Sequence, residues 1–236
     1  MNLAIYVTPS SFSIPFSLND EEWAHSLSFR YELDRRRYVF AHNFKRHVLS
    51  LEYPDIFPSD WVITKSPERK PFLTAPISFN LSHSKEAVAM VAVVGQSELQ
   101  IGIDVECYQK IEDLNELIQL ICHPNELARL ELKIDEHKSF YCLWTAKESL
   151  LKAVGSGLVD NLKELDCSEC LVKERCSILW NNQEFGLQTY KFDWGVCSVA
   201  WNNAIKVDSL HMASQDKLEL LSNTEISEGK SCSKSE

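Results

Sequence analysis

The sequence predicts an α+β fold made of two similar α/β halves. Each half has a long helical stretch bearing basic residues, with strands that include an apolar segment. A Gly95-Gln96-Ser97 turn lies near the middle of the chain. The expected boundary is near Gln100, giving units of 1–100 and 101–212. The remaining stretch, 213–236, is polar and acid-rich and reads as disordered. With 236 residues and 44% hydrophobic side chains, the chain can form sizeable cores.

The elements follow from local pattern. Asn2 to Val7 alternates weakly and reads as a strand. Ser17 or Asn19 caps a helix that carries Asp20, Glu21 and Glu22 in its first turn. Asp34 to Leu51 reads as a long helix, with Tyr38, Phe44, Val48 and Leu51 at helical spacing and Arg35-Arg36-Arg37 near its start. Tyr53 to Pro76 is broken by prolines and reads as loop, with a short strand from Trp61 to Lys65. Ile77 to Ser82 is a short strand, followed by a turn or helix start at His83-Ser84-Lys85-Glu86. Ala87 to Val94 is wholly apolar, as a strand buried on both faces should be. It is expected to form a hairpin with Leu99 to Cys107. Asp113 to Cys122 and His123 to Lys133 read as helices. Glu136 to Val154 is the strongest helix, stopped by Gly155 and Gly157. Strands are expected at Ser177–Trp180, 187–193, 196–201 and 204–208.

Bulk properties exclude some functions. A net charge of −10 argues against broad nucleic-acid binding, which needs a basic surface. The longest apolar run is too short to span a bilayer, and the first residues do not resemble a secretory leader. Eight dispersed cysteines suggest reduced thiols and a cytoplasmic protein. Cys167-x2-Cys170 with Cys176 invites a zinc reading, but no fourth ligand follows at a zinc-ribbon spacing.

Three segments carry chemistry. In the strand Ile101-Gly102-Ile103-Asp104-Val105-Glu106, the isoleucines and valine share one face, and Gly102, Asp104 and Glu106 the other. The two acids stand roughly 7 Å apart at their backbones. They could converge on Mg²⁺, or be a solvated strand face. Gly102 leaves room for a ligand or another backbone. In the 136–154 helix, Phe140, Leu143, Trp144, Leu150, Leu151 and Val154 form an apolar arc. Lys147 falls inside that arc and must snorkel or find an anion. Glu148 and Lys152 lie on its flank, as a surface ion pair or as site residues. Asn80-Leu81-Ser82-His83-Ser84 could supply a nucleophile and base, phosphate donors, or merely a capped turn. These readings together point to a metal-assisted reaction on a phosphate ester.

These three segments, with Trp144-x-x-Lys147-Glu148-Ser149-x-x-Lys152-x-x-Gly155-x-Gly157-Leu158 as the third, resemble the signature motifs of the 4′-phosphopantetheinyl transferases. Order and spacing agree over residues 30 to 160. The length resembles the surfactin type, a monomer of two halves in pseudo-twofold arrangement. The resemblance implies transfer of 4′-phosphopantetheine from coenzyme A to a serine of an apo acyl or peptidyl carrier protein, releasing 3′,5′-ADP. Such carriers serve fatty-acid, polyketide or peptide-synthetase pathways. It implies Mg²⁺ on Asp104, Glu106 and Glu148, with Asp104, Glu148 and Lys152 as catalytic groups. It assigns Ser82, His83, Lys147 and Lys152 to phosphates, Arg37 to the 3′-phosphate, and Lys70 and Pro71 to the nucleotide.

The chain departs from the family pattern in three places. Asn19 to Phe29 is acidic where relatives carry lysines. Ala41 stands in a region that often contains glycine. The glycine often found before the Lys-Pro pair is absent. Two other readings stay open on the sequence: a Mg²⁺-dependent phosphoesterase and a non-catalytic binding module. Carrier docking is expected through a local apolar patch with basic residues near Cys107 to Pro124, because an acidic chain repels an acidic partner as a whole.

Overall fold

The computed structural model describes residues 2–9, 13–65, 71–73, 75–97, 99–132, 135–155, 162–207 and 209–213. β1 (Asn2–Pro9) leads to α1 (Asp20–Ser26) and α2 (Glu32–Glu52). β2 (Ile63–Lys65), β3 (Pro71–Leu73), β4 (Ile77–Ser84), β5 (Ala87–Val94) and β6 (Ile101–Cys107) follow. Next come α3 (Leu114–Ile121), α4 (Pro124–Leu130) and α5 (Glu136–Val154). The last strands are β7 (Arg175–Trp180), β8 (Gln183–Lys191), β9 (Gly195–Asn202) and β10 (Ser209–Met212). No helix among the described residues is long and apolar enough to cross a membrane.

The strands form two four-stranded sheets, in the orders β10-β1-β5-β4 and β6-β9-β8-β7, and a small β2-β3 ribbon. The layers follow from the side-chain alternation. α2 lays Phe44 and Val48 against Tyr6 and Met90 on the outer face of the first sheet. α5 lays Leu143 and Leu150 against Leu187 and Ala200 on the outer face of the second. Between the sheets, Leu3, Ile5 and Val91 meet Ile103 and Val199. The result is the expected α+β plan, each sheet backed by one long helix.

Three expectations are corrected. β5 and β6 do not form a hairpin. β5 is hydrogen-bonded to β1 on one edge and β4 on the other, so it has no edge to offer, and β6 pairs with β9 instead. The strand expected at 204–208 is displaced. The Asn202 side chain accepts from the Ala204 amide and its carbonyl from the Ile205 amide, turning the chain before β10. β10 then runs parallel to β1 in the first sheet, so the topology is not a plain division at residue 100. Finally, β4 continues through His83 and Ser84, and Lys85-Glu86 makes the turn into β5, with Lys85 at φ 35°. The 214–236 stretch and residue 157 lie outside the described residues.

Gly102 sets the distance between β6 and α5. A Cβ there would fall 2.1 Å from Ser149 O and 2.5 Å from Ala153 N. The open choice at Gly102 is therefore settled as a close backbone approach. α5 ends as expected, with Gly155 in the left-handed region at φ 82° and its amide on Leu151 O.

α1 is tied to α2 by charge. Asn19 caps α1 in a capping box with Glu22. The Glu22 carboxylate also accepts from Lys45 Nζ at 2.8 Å and Arg46 Nε at 2.6 Å, and contacts His42 Nδ1 at 2.9 Å. Burial alone would raise Glu22, but the hydrogen bonds from His42, Lys45 and Arg46 and the charge of Lys45 outweigh it and hold the carboxyl far below its ordinary value.

Gly102→Ala is expected to destabilise the fold by about 3 kcal/mol, because backbone atoms rather than a flexible side chain must yield. Thermal unfolding of the two proteins checks this. Glu22→Gln should cost about 3 kcal/mol at neutral pH by leaving buried cations unpaired. Because the folded carboxyl is depressed, its contribution is present above the unfolded value of roughly 4.3 and is lost as pH falls below it. Urea unfolding at pH 7 and pH 3 should therefore show a gap between the proteins that narrows with acid.

Candidate active site

The period of β6 turns Asp104 and Glu106 to the same side as Gly102, and Gly102 brings α5 onto that side. Glu148 and Lys152, one turn apart on α5, meet the two acids there. Lys152 Nζ lies 2.6 Å from Asp104 Oδ1 and 3.0 Å from Ser82 Oγ. The Ser82 hydroxyl donates to the same Asp104 oxygen at 2.8 Å. Asp104 is buried, whereas the Lys152 side chain is 30% exposed, so the ammonium stands at the mouth.

The three carboxylates are costly to bring together. Burial pushes Asp104 up, and Lys152 and Ser82 hold it back. Burial and then the Asp104 charge raise Glu106, against the hydrogen bond from Ser84 and the charge of Lys152. Burial, Asp104 and Glu106 raise Glu148, against Lys152. Asp104 Oδ2 and Glu148 Oε1 are buried with no hydrogen-bond partner among the described residues. Glu148 and Lys152 are therefore not the isolated surface pair that their spacing allowed.

These donors fit a hard divalent cation. They are carboxylate oxygens, two are partnerless, and their mutual repulsion is what a cation relieves. Among the described residues no three His, Cys, Asp or Glu side chains close on one point, and the Lys152 ammonium rests on Asp104. Cys167 and Cys170 are free, buried thiols held well above their ordinary value by desolvation.

The site is joined to the first half by side chains rather than a strand ladder. Alternate residues of β4 reach across to β6 and the residues leading into it. Ser78 Oγ accepts from Leu99 N at 2.9 Å, and Asn80 Oδ1 accepts from Ile103 N at 2.9 Å. Ser82 and Ser84 donate to Asp104 and Glu106. Sequence reasoning missed Ser84. The alternation of small polar residues at 78, 80, 82 and 84 was the available signal, hidden by ending the strand at Ser82.

His83 points away from this row. Arg37 lies near it, its Nε donating to Lys85 O at 3.0 Å. Partial desolvation, with the charges of Lys152 and Arg37, lowers the imidazole below its ordinary value. Pro71 opens β3, and Lys70 lies outside the described residues.

Lys147 is a correction. It was expected on phosphate, but its side chain is fully buried on the other flank of α5. Its ammonium pairs with Glu126 at 3.0 Å and donates to the carbonyls of Leu162 and Leu165. Three partners occupy its three donors, leaving none for a ligand. Glu126 also caps α4 through the His123 amide at 2.8 Å and accepts from Cys167 N at 2.7 Å. Lys147→Ala should therefore lose about 3–5 kcal/mol of stability by stranding the Glu126 carboxylate. Lys147→Ala,Glu126→Gln should recover part of that loss, as chemical unfolding of the single and double variants would show.

Parts of the chain are similar to known proteins. The family model described as the 4′-phosphopantetheinyl transferase superfamily matches residues 100–205. The chain is 32% identical over 157 residues to the 4′-phosphopantetheinyl transferase HetI of Nostoc sp., covering 64% of each chain. It is 38% identical over 91 residues to the 4′-phosphopantetheinyl transferase gsp of Aneurinibacillus migulanus, covering 38% of this chain and 36% of that one. A phosphopantetheinyl transferase of Thraustochytrium sp. is 27% identical over 158 residues, 60% of this chain and 54% of the relative. The matched stretches thus span less than two thirds of each of these relatives. The matched region of the family model contains β6 and α5, the elements that bring the acids and Lys152 together, so the part of the chain that carries the site is similar to the 4′-phosphopantetheinyl transferase superfamily.

Proposed function

We propose that this chain transfers the 4′-phosphopantetheine group of coenzyme A to a serine of an apo acyl or peptidyl carrier protein. The observation that carries the reading is the convergence of Asp104, Glu148 and Lys152, with two buried carboxylate oxygens left without partners. Asp104, Glu106 and Glu148 would hold Mg²⁺. When bound, Mg²⁺ supplies positive charge beside the pyrophosphate.

The carrier serine oxygen attacks the β-phosphorus, the bond to the bridging oxygen breaks, and 3′,5′-ADP leaves. Glu148 takes the serine proton, directly or through water. Its raised affinity for protons and partnerless oxygen suit that role. Lys152, at the mouth of the site, adds positive charge where the leaving phosphate gains negative charge. Ser82 orients both Lys152 and Asp104. Arg37 and His83 bind the 3′-phosphate. His83 serves as a neutral hydrogen-bonding group at pH 7, because its proton affinity is lowered, and Arg37 supplies the charge. Lys70 and Pro71 lie along the nucleotide in this reading.

Two halves, each built on one sheet and with β10 returning to the first, form one monomer, with the cleft between them as the site. The carrier docks near 107–124, where Leu120 is 67% exposed and Lys110 is also exposed. The free thiols fit a cytoplasmic location.

Incubating a panel of apo-carriers with the chain, coenzyme A and Mg²⁺ should produce a phosphopantetheine adduct in intact-mass spectra. Asp104→Ala and Lys152→Ala should each slow transfer by on the order of a hundredfold or more. Release of 3′,5′-ADP without a carrier would favour a phosphoesterase. Coenzyme A binding with no adduct on any carrier would favour a binding module.

A further inference from the structure

We infer that Ser84 is a positioning residue that holds the Glu106 carboxylate in its working orientation from the strand across the seam. The inference rests on the reading of Asp104, Glu106 and Glu148 as ligands of a divalent cation.

The geometry makes the two carboxylates of β6 unequal. Asp104 is short, buried, and held by the Lys152 ammonium and the Ser82 hydroxyl. Glu106 has one more methylene, is only half-buried, and lies near the end of β6. Left alone, its side chain would sample several rotamers, and ordering it would cost conformational entropy each time a ligand bound. One donor restricts that freedom: Ser84 Oγ lies 2.5 Å from Glu106 Oε2.

The direction of the Ser84 bond is determined by its surroundings. The Cys107 amide lies 3.5 Å from Ser84 Oγ and can only donate. Ser84 therefore accepts from Cys107 and sends its own proton to Glu106. The Ser84 carbonyl also accepts from Cys107 Sγ at 3.5 Å, so the end of β6 is fastened to β4 at two points.

Ser82 and Ser84 are two residues apart on β4, as Asp104 and Glu106 are on β6. Each serine serves one acid. The spacing of the acids is thus copied from the pleat of a strand in the other sheet.

Binding of Mn²⁺ alone to the full chain, read as loss of the free-ion electron paramagnetic resonance signal, tests this without coenzyme A or carrier. Ser84→Ala should weaken Mn²⁺ binding about tenfold or more, the usual effect of losing a partner that orients a ligand. Ser84→Thr, which keeps the hydroxyl, should bind within about threefold of the wild type. In transfer assays the Mg²⁺ concentration for half-maximal rate should rise for Ser84→Ala, with kcat at saturating Mg²⁺ largely kept. If Ser84→Ala binds Mn²⁺ as the wild type does, even with a lowered melting temperature, the residue is only structural and the inference is overturned. Should Ser84→Ala fail to fold, Ser84→Cys decides in its place: weakened Mn²⁺ binding supports the inference, and wild-type binding overturns it. If the wild type binds no Mn²⁺, or Asp104→Ala binds it equally well, the reading of the cation site fails and takes the inference with it.

Discussion

At Gly102 the backbone of α5 comes so near β6 that a single methyl group would strike Ser149 O. Two and four residues further along the same strand face stand Asp104 and Glu106, and the helix that presses on Gly102 carries Glu148 and Lys152 over them. A wider gap would leave the acids as a wet strand face. The close approach turns them into three carboxylates whose proton affinity burial raises, with the Asp104 charge adding to the rise at Glu106 and Glu148. Such an arrangement is unfavourable for folding by itself. It persists because the surrounding structure forces it, with Lys152 offsetting part of the repulsion.

The seam between β4 and β6 is the second constraint. Two sheets that meet at their edges would ordinarily pair backbone to backbone or leave polar groups unmet. Here the small polar side chains of β4 take over the role of a ladder, capturing the amides of Leu99 and Ile103 and the carboxylates of Asp104 and Glu106. Small side chains are needed because a longer one could not fit between strands lying so close. The consequence is that neither half holds the site alone. The second half owns the acids, and the first half orients them.

Lys147 and Lys152 show how little residue type says about role. They lie five positions apart on one helix, and both looked like cations for phosphate. Lys147 falls inside the apolar stripe, where an unpaired ammonium would be costly, and it is neutralised by Glu126 and two carbonyls. Lys152 stands on the flank and keeps partial exposure. Similarly, Glu22 read as an ordinary acid in the first turn of a helix, yet it binds Lys45 and Arg46 from α2 and anchors α1 to the first sheet's helix. Both pairings join residues about twenty positions apart, beyond any local pattern.

What the sequence determined by itself was local. The apolar period from Phe140 to Val154 with Gly155 at its end defined α5, and the unbroken apolar run 87–94 defined β5. The period-two face of β6 put Asp104 and Glu106 side by side, and the order of three motifs carried the family resemblance before any geometry was known. Tertiary structure alone decided the partners. β6 could not pair with β5, because β1 and β4 already occupied both its edges. Lys147 took an anion from α4 instead of a ligand. Ser84 became a donor to Glu106. Periodicity and caps depend on a residue's immediate neighbours, so they can be read along the chain. Free strand edges, buried counter-charges and hydrogen-bond donors depend on which distant segments fill the same space, and that is settled only when the two sheets and their helices have packed together.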